Sequence, residues 1–160
     1  MAKTRVYIAL GSNLGAREAH IREAVVRLGN MAEGGLSLSS LYETPAQDMG
    51  DAPAFINAVA GLETSLSPRQ LLAALQQIEV AMGRPSDHGH HVSRIIDLDI
   101  ISFGDLVLHE AGLDLPHPRA HLRGFVLRPL AELDPLLRLP GQTRSVRELA
   151  DALPPATAVD

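Results

Sequence analysis

Ile95-Ile96-Asp97-Leu98-Asp99-Ile100-Ile101-Ser102-Phe103 is the most strand-like run in this chain of 160 residues, and the reading of the fold turns on it. Its isoleucines favour extended backbone, and side chains along a strand alternate between faces. Ile96, Leu98 and Ile100 therefore share one face and are expected in a core. Asp97 and Asp99 share the other, their Cα atoms about 7 Å apart by the strand rise.

The segments around this strand read as follows. Upstream, Ser67-Pro68 is a helix N-cap followed by proline at the first helical position. Leu71, Leu72, Leu75, Ile78 and Met82 then form one apolar stripe, with Gly83 as a stop. Between Gly83 and the strand, Arg84 to Ser93 is polar, rich in histidine and aperiodic, so it reads as a loop. Further upstream, Val6 to Leu10 reads as a strand ended by a turn, Gly11-Ser-Asn-Leu-Gly15. Arg17 to about Leu28 has helical spacing, Leu36 to Tyr42 alternates as one half-buried strand, and Phe55 to Leu62 is another strand. Downstream, Gly104-Asp105 reads as a turn, with Leu106 to Leu108 returning along the strand just left. Pro116 to Pro118 breaks the chain, and Phe125 to Leu133 reads as a short helix. Ser145-Val-Arg-Glu148 is a capping box that opens a last helix ending near Leu153, followed by a frayed tail. Strand, helix, strand, strand, helix, strand and then helices is an α+β order of the ferredoxin-like kind, within one domain.

Composition excludes several functions. The chain has no cysteine, so thiol nucleophiles, thiolate metal sites and disulfide scaffolds are out. Its formal net charge of -5 argues against duplex nucleic acid held through phosphates. No apolar run approaches the ~20 residues that span a bilayer, and the first residues carry no signal-peptide pattern. A cytoplasmic protein without a nucleic-acid or membrane partner is expected. With two Tyr, three Phe and no Trp, the core must be built from Leu, Ile, Val and Ala.

Chemistry concentrates in a few places. Two carboxylates side by side repel unless a cation sits between them. Mg²⁺ takes one or two protein carboxylates and completes its shell with water and phosphate oxygens. Asp97 and Asp99 fit that use, and equally a solvated strand face. Arg84, Arg94, His117, Arg119 and Arg123 flank the pair in sequence, and arginine suits phosphate oxygens geometrically. Phe55 and Asn57 stand two apart on a strand, so a flat heterocycle could stack on one and pair with the other. The competing reading puts Phe55 in the core. His88, His90 and His91 read as a polar loop rather than a metal site.

In order along the chain stand Tyr7-Ile-Ala-Leu-Gly-Ser-Asn-Leu14, Ser40-Leu-Tyr-Glu-Thr-Pro45, Phe55-Ile-Asn-Ala58, Ile78-Glu79 and Gly83-Arg84. Arg94-Ile-Ile-Asp-Leu-Asp-Ile100, Leu115-Pro-His-Pro-Arg119 and Arg123-Gly-Phe-Val-Leu127 follow. With these residues at these spacings the chain resembles the 6-hydroxymethyl-7,8-dihydropterin pyrophosphokinases of folate biosynthesis. The resemblance implies a ferredoxin-like α/β/α sandwich, with an antiparallel sheet and helices on both faces. It implies transfer of pyrophosphate from ATP to the pterin hydroxymethyl group, releasing AMP, by a monomer acting on small molecules.

The same resemblance implies two Mg²⁺ ions on Asp97 and Asp99, and a catalytic role for both carboxylates and for Arg94. It implies a pterin stacked between Phe55 and Phe125, with Thr44 and Asn57 bonded to its edge. Glu79, Arg84, Arg94, His117 and Arg123 would face ATP. The chain departs from the family pattern before Arg94, where His91-Val92-Ser93 replaces a Gly-Pro segment, and at Ser86, where an arginine is usual. Two alternatives therefore stay open. One is a paralogue with an altered ATP lid, acting on a related pterin or binding without efficient turnover. The other is a ferredoxin-like RNA-binding module, against which the charge and the scarcity of aromatics both count.

Overall fold

The computed structural model describes residues 3–44, 54–83 and 95–153. The loop expected from Arg84 to Ser93 and the tail beyond Leu153 lie outside these residues. Strand β1 (Thr4–Ser12) leads into helix α1 (Arg17–Met31), and two short strands follow, β2 (Ser37–Leu38) and β3 (Tyr42–Thr44). Then come β4 (Phe55–Thr64), α2 (Pro68–Ala81) and β5 (Asp97–Phe103). The five strands form one sheet in the order β2-β4-β1-β5, with β3 also on β4, and every pairing is antiparallel.

The alternation expected of the strands divides the core in two. Val6, Ile8 and Leu10 of β1, with Leu98 and Ile100 of β5, pack against Ile21 and Leu28 of α1 and Leu71 and Leu75 of α2. On the opposite face Tyr7, Val59 and Ile101 meet two later helices, α3 (Gly124–Leu133) and α4 (Val146–Asp151). The Ser145–Glu148 capping box opens α4, and a second box of Ser67 and Gln70 opens α2 behind Pro68. Among the described residues, no helix is long and apolar enough to cross a membrane.

Three local expectations are corrected. The first strand does not stop at Leu10. Gly11 and Ser12 continue the ladder, paired with Asn57 and Ile56, and the turn is confined to the residues before α1. Turn-forming residues are permitted in a central strand when its neighbours supply the hydrogen bonds, which sequence alone does not show. The second correction concerns Leu36 to Tyr42, which is two strands rather than one. Leu38 pairs with Ala60 and Tyr42 with Asn57, so one extra residue is accommodated between them. Ser39 fills the break: its backbone N–H donates to Val59 O (2.9 Å), and its Oγ accepts from Val59 N–H (2.9 Å). Third, the segment after Gly104 does not return along β5. It forms β6 (Leu108–Glu110), paired instead with β7 (Leu113–Leu115) around Gly112 at φ 74°. The turn at Gly104 is real, but its N–H bonds Arg5 O (2.9 Å) and directs the chain away.

Candidate active site

The sheet face that receives α3 and α4 also carries the polar residues, because strand parity puts them there. In register across the sheet, Tyr42 pairs with Asn57, Asn57 with Gly11, and Gly11 with Asp97. The neighbouring row is Val59, Ala9 and Asp99. Thr44 pairs with Phe55 at the end of the β3–β4 ladder. With strands about 4.8 Å apart, the Asn57 and Asp97 backbones stand about 10 Å from each other. Gly11, between them, presents no side chain. A Cβ there would lie 3.3 Å from Asn57 Oδ1 and 3.4 Å from Phe55 Cδ1, so the bare glycine keeps the floor between the two groups clear.

Asn57 is buried, and its Nδ2 donates to Thr44 Oγ1 at 2.7 Å. That bond fixes the amide orientation and leaves the Asn57 carbonyl oxygen on the Gly11 side. On β5, Asp97 is half-buried and Asp99 exposed, while Leu98 between them is buried. Leu98 N–H donates to Glu79 Oε2 at 2.9 Å. Glu79 is itself buried on α2, so this carboxylate holds the backbone of the last strand in the sheet between the two aspartates.

A β-bulge brings in the second set of groups. Ile8 pairs with Ile100 but Tyr7 pairs with Ser102, which leaves Ile101 as the extra residue of β5. Ile101 O accepts from His117 N–H at 2.8 Å, tying the Pro116-His117-Pro118 segment beside the acidic face. Asp99, His117, Arg123, Phe125, Ala9 and Ala120 line one narrow cleft together with Ile101 and Val126. Arg123 stands at the N-terminal end of α3, with its guanidinium carbon 5.4 Å from the centre of the Phe125 ring. Burial holds the His117 imidazole below its ordinary pKa, with the Arg123 and Arg119 charges adding to that and Asp97 and Asp114 opposing it. His117 Nδ1 accepts from Arg119 N–H at 3.2 Å, so the neutral ring carries its hydrogen on Nε2, as a donor. Burial, and then Arg119, also lowers the Arg123 pKa, while Asp99 and Asp97 act in the opposite direction.

The structure thus gathers Thr44, Phe55, Asn57, Asp97, Asp99, His117, Arg123 and Phe125 on one face. Glu79 stands behind that face, against the β5 backbone. Arg84 and Arg94 lie outside the described residues, as do Ser86 and His91-Val92-Ser93. Reading Gly11 as part of a turn missed its place in the site. Counting alternate residues from Tyr7 through Ala9 would have found it. Tyr42, whose hydroxyl bonds Glu132 of α3, was also missed; it aligns with Asn57 only through a bulge that propensity does not reveal.

An antiparallel sheet with helices on both sides, carrying paired carboxylates and cationic groups on one face, defines an α+β protein. Residues 7–135 match the family described as 7,8-dihydro-6-hydroxymethylpterin-pyrophosphokinase (HPPK), and the chain belongs to it. It is 43% identical over 151 residues to the 2-amino-4-hydroxy-6-hydroxymethyldihydropteridine pyrophosphokinase of Pseudomonas aeruginosa, covering 94% of this chain and 92% of that protein. The protein of the same name from Bacillus subtilis is 42% identical over 128 residues, covering 79% of this chain and 76% of the relative. Among solved structures, the crystal structure of Plasmodium falciparum HPPK-DHPS wild type with pteroate superposes with a TM-score of 0.74 at 16% identity. The likeness to it is one of fold. It covers 94% of this chain, which spans 42% of that longer one.

Proposed function

We propose that this chain transfers a pyrophosphoryl group from ATP to the hydroxymethyl group of 6-hydroxymethyl-7,8-dihydropterin, giving AMP and the pterin diphosphate for folate biosynthesis. The observation that carries this reading is the row Asn57–Gly11–Asp97, which sets an amide with a neighbouring aromatic at one end of a bare floor and an acidic pair at the other. Membership of the family and the names of its relatives support the substrate pair.

In this reading the pterin stacks between Phe55 and Phe125, and Thr44 and Asn57 bond its edge. Its hydroxymethyl oxygen attacks the β-phosphorus of ATP. The bond from that phosphorus to the α,β-bridging oxygen breaks, and AMP leaves. Arg123 and His117, with Arg84 and Arg94, meet the phosphate oxygens and offset charge that an acidic protein would otherwise repel. Catalysis of such transfers is mostly positioning and charge neutralisation. Asp97, in the row of Asn57, is the residue we assign to accept the hydroxyl proton. The pair Asp97 and Asp99 suits two Mg²⁺ ions. The two carboxylates are hard oxygen donors, and Mg²⁺ takes one or two protein carboxylates and completes its shell with water and phosphate oxygens. Bound there, Mg²⁺ would supply charge neutralisation and alignment of the polyphosphate.

The strand order, with α1 and α2 on one face, supports the ferredoxin-like α/β/α description. A cytoplasmic monomer goes with the same reading. The test is to incubate the protein with ATP, Mg²⁺ and 6-hydroxymethyl-7,8-dihydropterin and to measure AMP and ADP. Pterin-dependent AMP is expected. ADP as the product, or AMP release that ignores the pterin, would overturn the assignment.

A further inference from the structure

The Gly11-Ser-Asn-Leu-Gly15 motif has a second consequence, at its far end. Gly15 sits at φ 70°, a left-handed conformation that glycine adopts without penalty, and Arg17 N–H bonds its carbonyl at 2.9 Å. This sharp turn starts α1 at Arg17 and delivers the Arg17 side chain to two other pieces of chain. Its guanidinium Nη1 donates to Ala54 O at 2.7 Å and to Glu43 Oε2 at 3.0 Å. Glu43 precedes Thr44 on β3, and Ala54 precedes Phe55 on β4. Thr44 and Phe55 are the terminal registered pair of that ladder.

Thr44 and Phe55 close the ladder, and the last pair of a ladder opens more readily than pairs inside it. Arg17 bridges the two strands at that end from a third element, α1. We infer that Arg17 is a positioning residue for the pterin half-site: it clasps β3 to β4 so that Thr44, Phe55 and Asn57 keep one geometry before the substrate arrives. The inference rests on the functional reading above for the identity of that substrate. Among the described residues, the Arg17 side chain bonds Glu43 and Ala54, next to Thr44 and Phe55, so the clasp bears on the pterin half-site rather than on His117 or Arg123. Its side chain is 30% exposed and that of Glu43 45%, so its contribution to overall stability is small.

The experiment compares wild type with Arg17→Met, which keeps the aliphatic stem and loses both donors, and with Arg17→Lys, which can restore one. Calorimetry measures the affinity for 6-hydroxymethyl-7,8-dihydropterin and, separately, for Mg²⁺ with a non-hydrolysable ATP analogue. Thermal unfolding and amide exchange across Tyr42–Thr44 and Phe55–Asn57 are read on the ligand-free proteins. Arg17→Met should weaken pterin affinity about three- to tenfold, leave nucleotide affinity within about twofold, and speed exchange at those amides. Arg17→Lys should recover part of the pterin affinity. Unchanged pterin affinity in Arg17→Met would overturn the clasp, and so would equal losses for both ligands together with a large drop in melting temperature. If wild type itself fails to bind the dihydropterin, the functional reading fails, and the wild-type measurement shows that without any variant.

Discussion

Replacing Glu79 by alanine tests what holds the Asp-Leu-Asp strand in place. Glu79 is 6% exposed, and its Oε2 accepts Leu98 N–H at 2.9 Å. A hydrogen bond to a charged group contributes about 1.5–3 kcal/mol, much of it the cost of leaving the buried partner unsatisfied. Alanine also removes one methylene, worth about 0.8 kcal/mol of burial. The expected loss is therefore about 2–4 kcal/mol. In a domain of this size each kcal/mol lowers the melting temperature by about 2–4 °C, so a drop of roughly 5–15 °C is expected. Glu79→Gln keeps an acceptor and should lose less than half as much. Calorimetric melting gives the stability, and amide exchange gives the local effect: the Leu98 N–H should lose protection in Glu79→Ala and keep most of it in Glu79→Gln. Transfer should fall with the same order, because Asp97 and Asp99 hang on either side of that amide. A Glu79→Ala protein that melts within about 2 °C of wild type, with Leu98 still protected, would refute the reasoning. If instead stability is unchanged while ATP binding alone weakens, Glu79 serves the nucleotide and not the strand.

Three more outcomes follow from the same geometry. Asp97→Asn and Asp99→Asn should each reduce transfer about a hundredfold or more with melting temperatures near wild type, since neither carboxylate is in the core; full Mg²⁺-dependent activity in either would refute the acidic pair as the cation site. Phe55→Ala should weaken pterin binding by about 1–3 kcal/mol, the usual value of a heterocycle stacked on an aromatic ring, and leave ATP binding alone; equal losses by calorimetry would count against stacking. Both tyrosines are held up: burial and the Glu132 bond push Tyr42 from 10.0 to about 12, and burial raises Tyr7, with Arg5 and Asp134 acting in opposite directions on it. Native protein at about pH 10.5 should therefore show less tyrosinate absorbance at 295 nm than denatured chain, which is more than half ionised there. Because the unfolded state loses these protons first, stability should fall as pH rises above about 10 and continue falling toward the native values. Folded protein that ionises as fully as denatured chain at that pH would contradict this.

The element types were legible because they depend on local pattern. The Leu71, Leu75 and Ile78 stripe and the Ser67-Pro68 cap define α2 from sequence alone, and the alternation around Asp97 and Asp99 assigns faces before any partner strand is known. The errors fall where one strand's course depends on its neighbour. Gly11 reads as a turn former until β4 and β5 bond it on either side. Leu36 to Tyr42 reads as one strand because its bulge exists only in register with β4. The segment after Gly104 reads as a hairpin arm until Arg5 O draws the turn elsewhere.

The sequence by itself determined the α+β order, the apolar faces and the identity of the chemical groups, because propensity, capping and period are short-range properties of the chain. Tertiary structure alone decided which of those groups meet. Asn57 and Asp97 are 40 residues apart in sequence but share a row of the sheet through Gly11, and the Ile101 bulge is what sets His117 against Asp99. Register and bulges are settled by the fit of both faces of the sheet to their helices, a property of the whole fold that no local stretch of sequence contains.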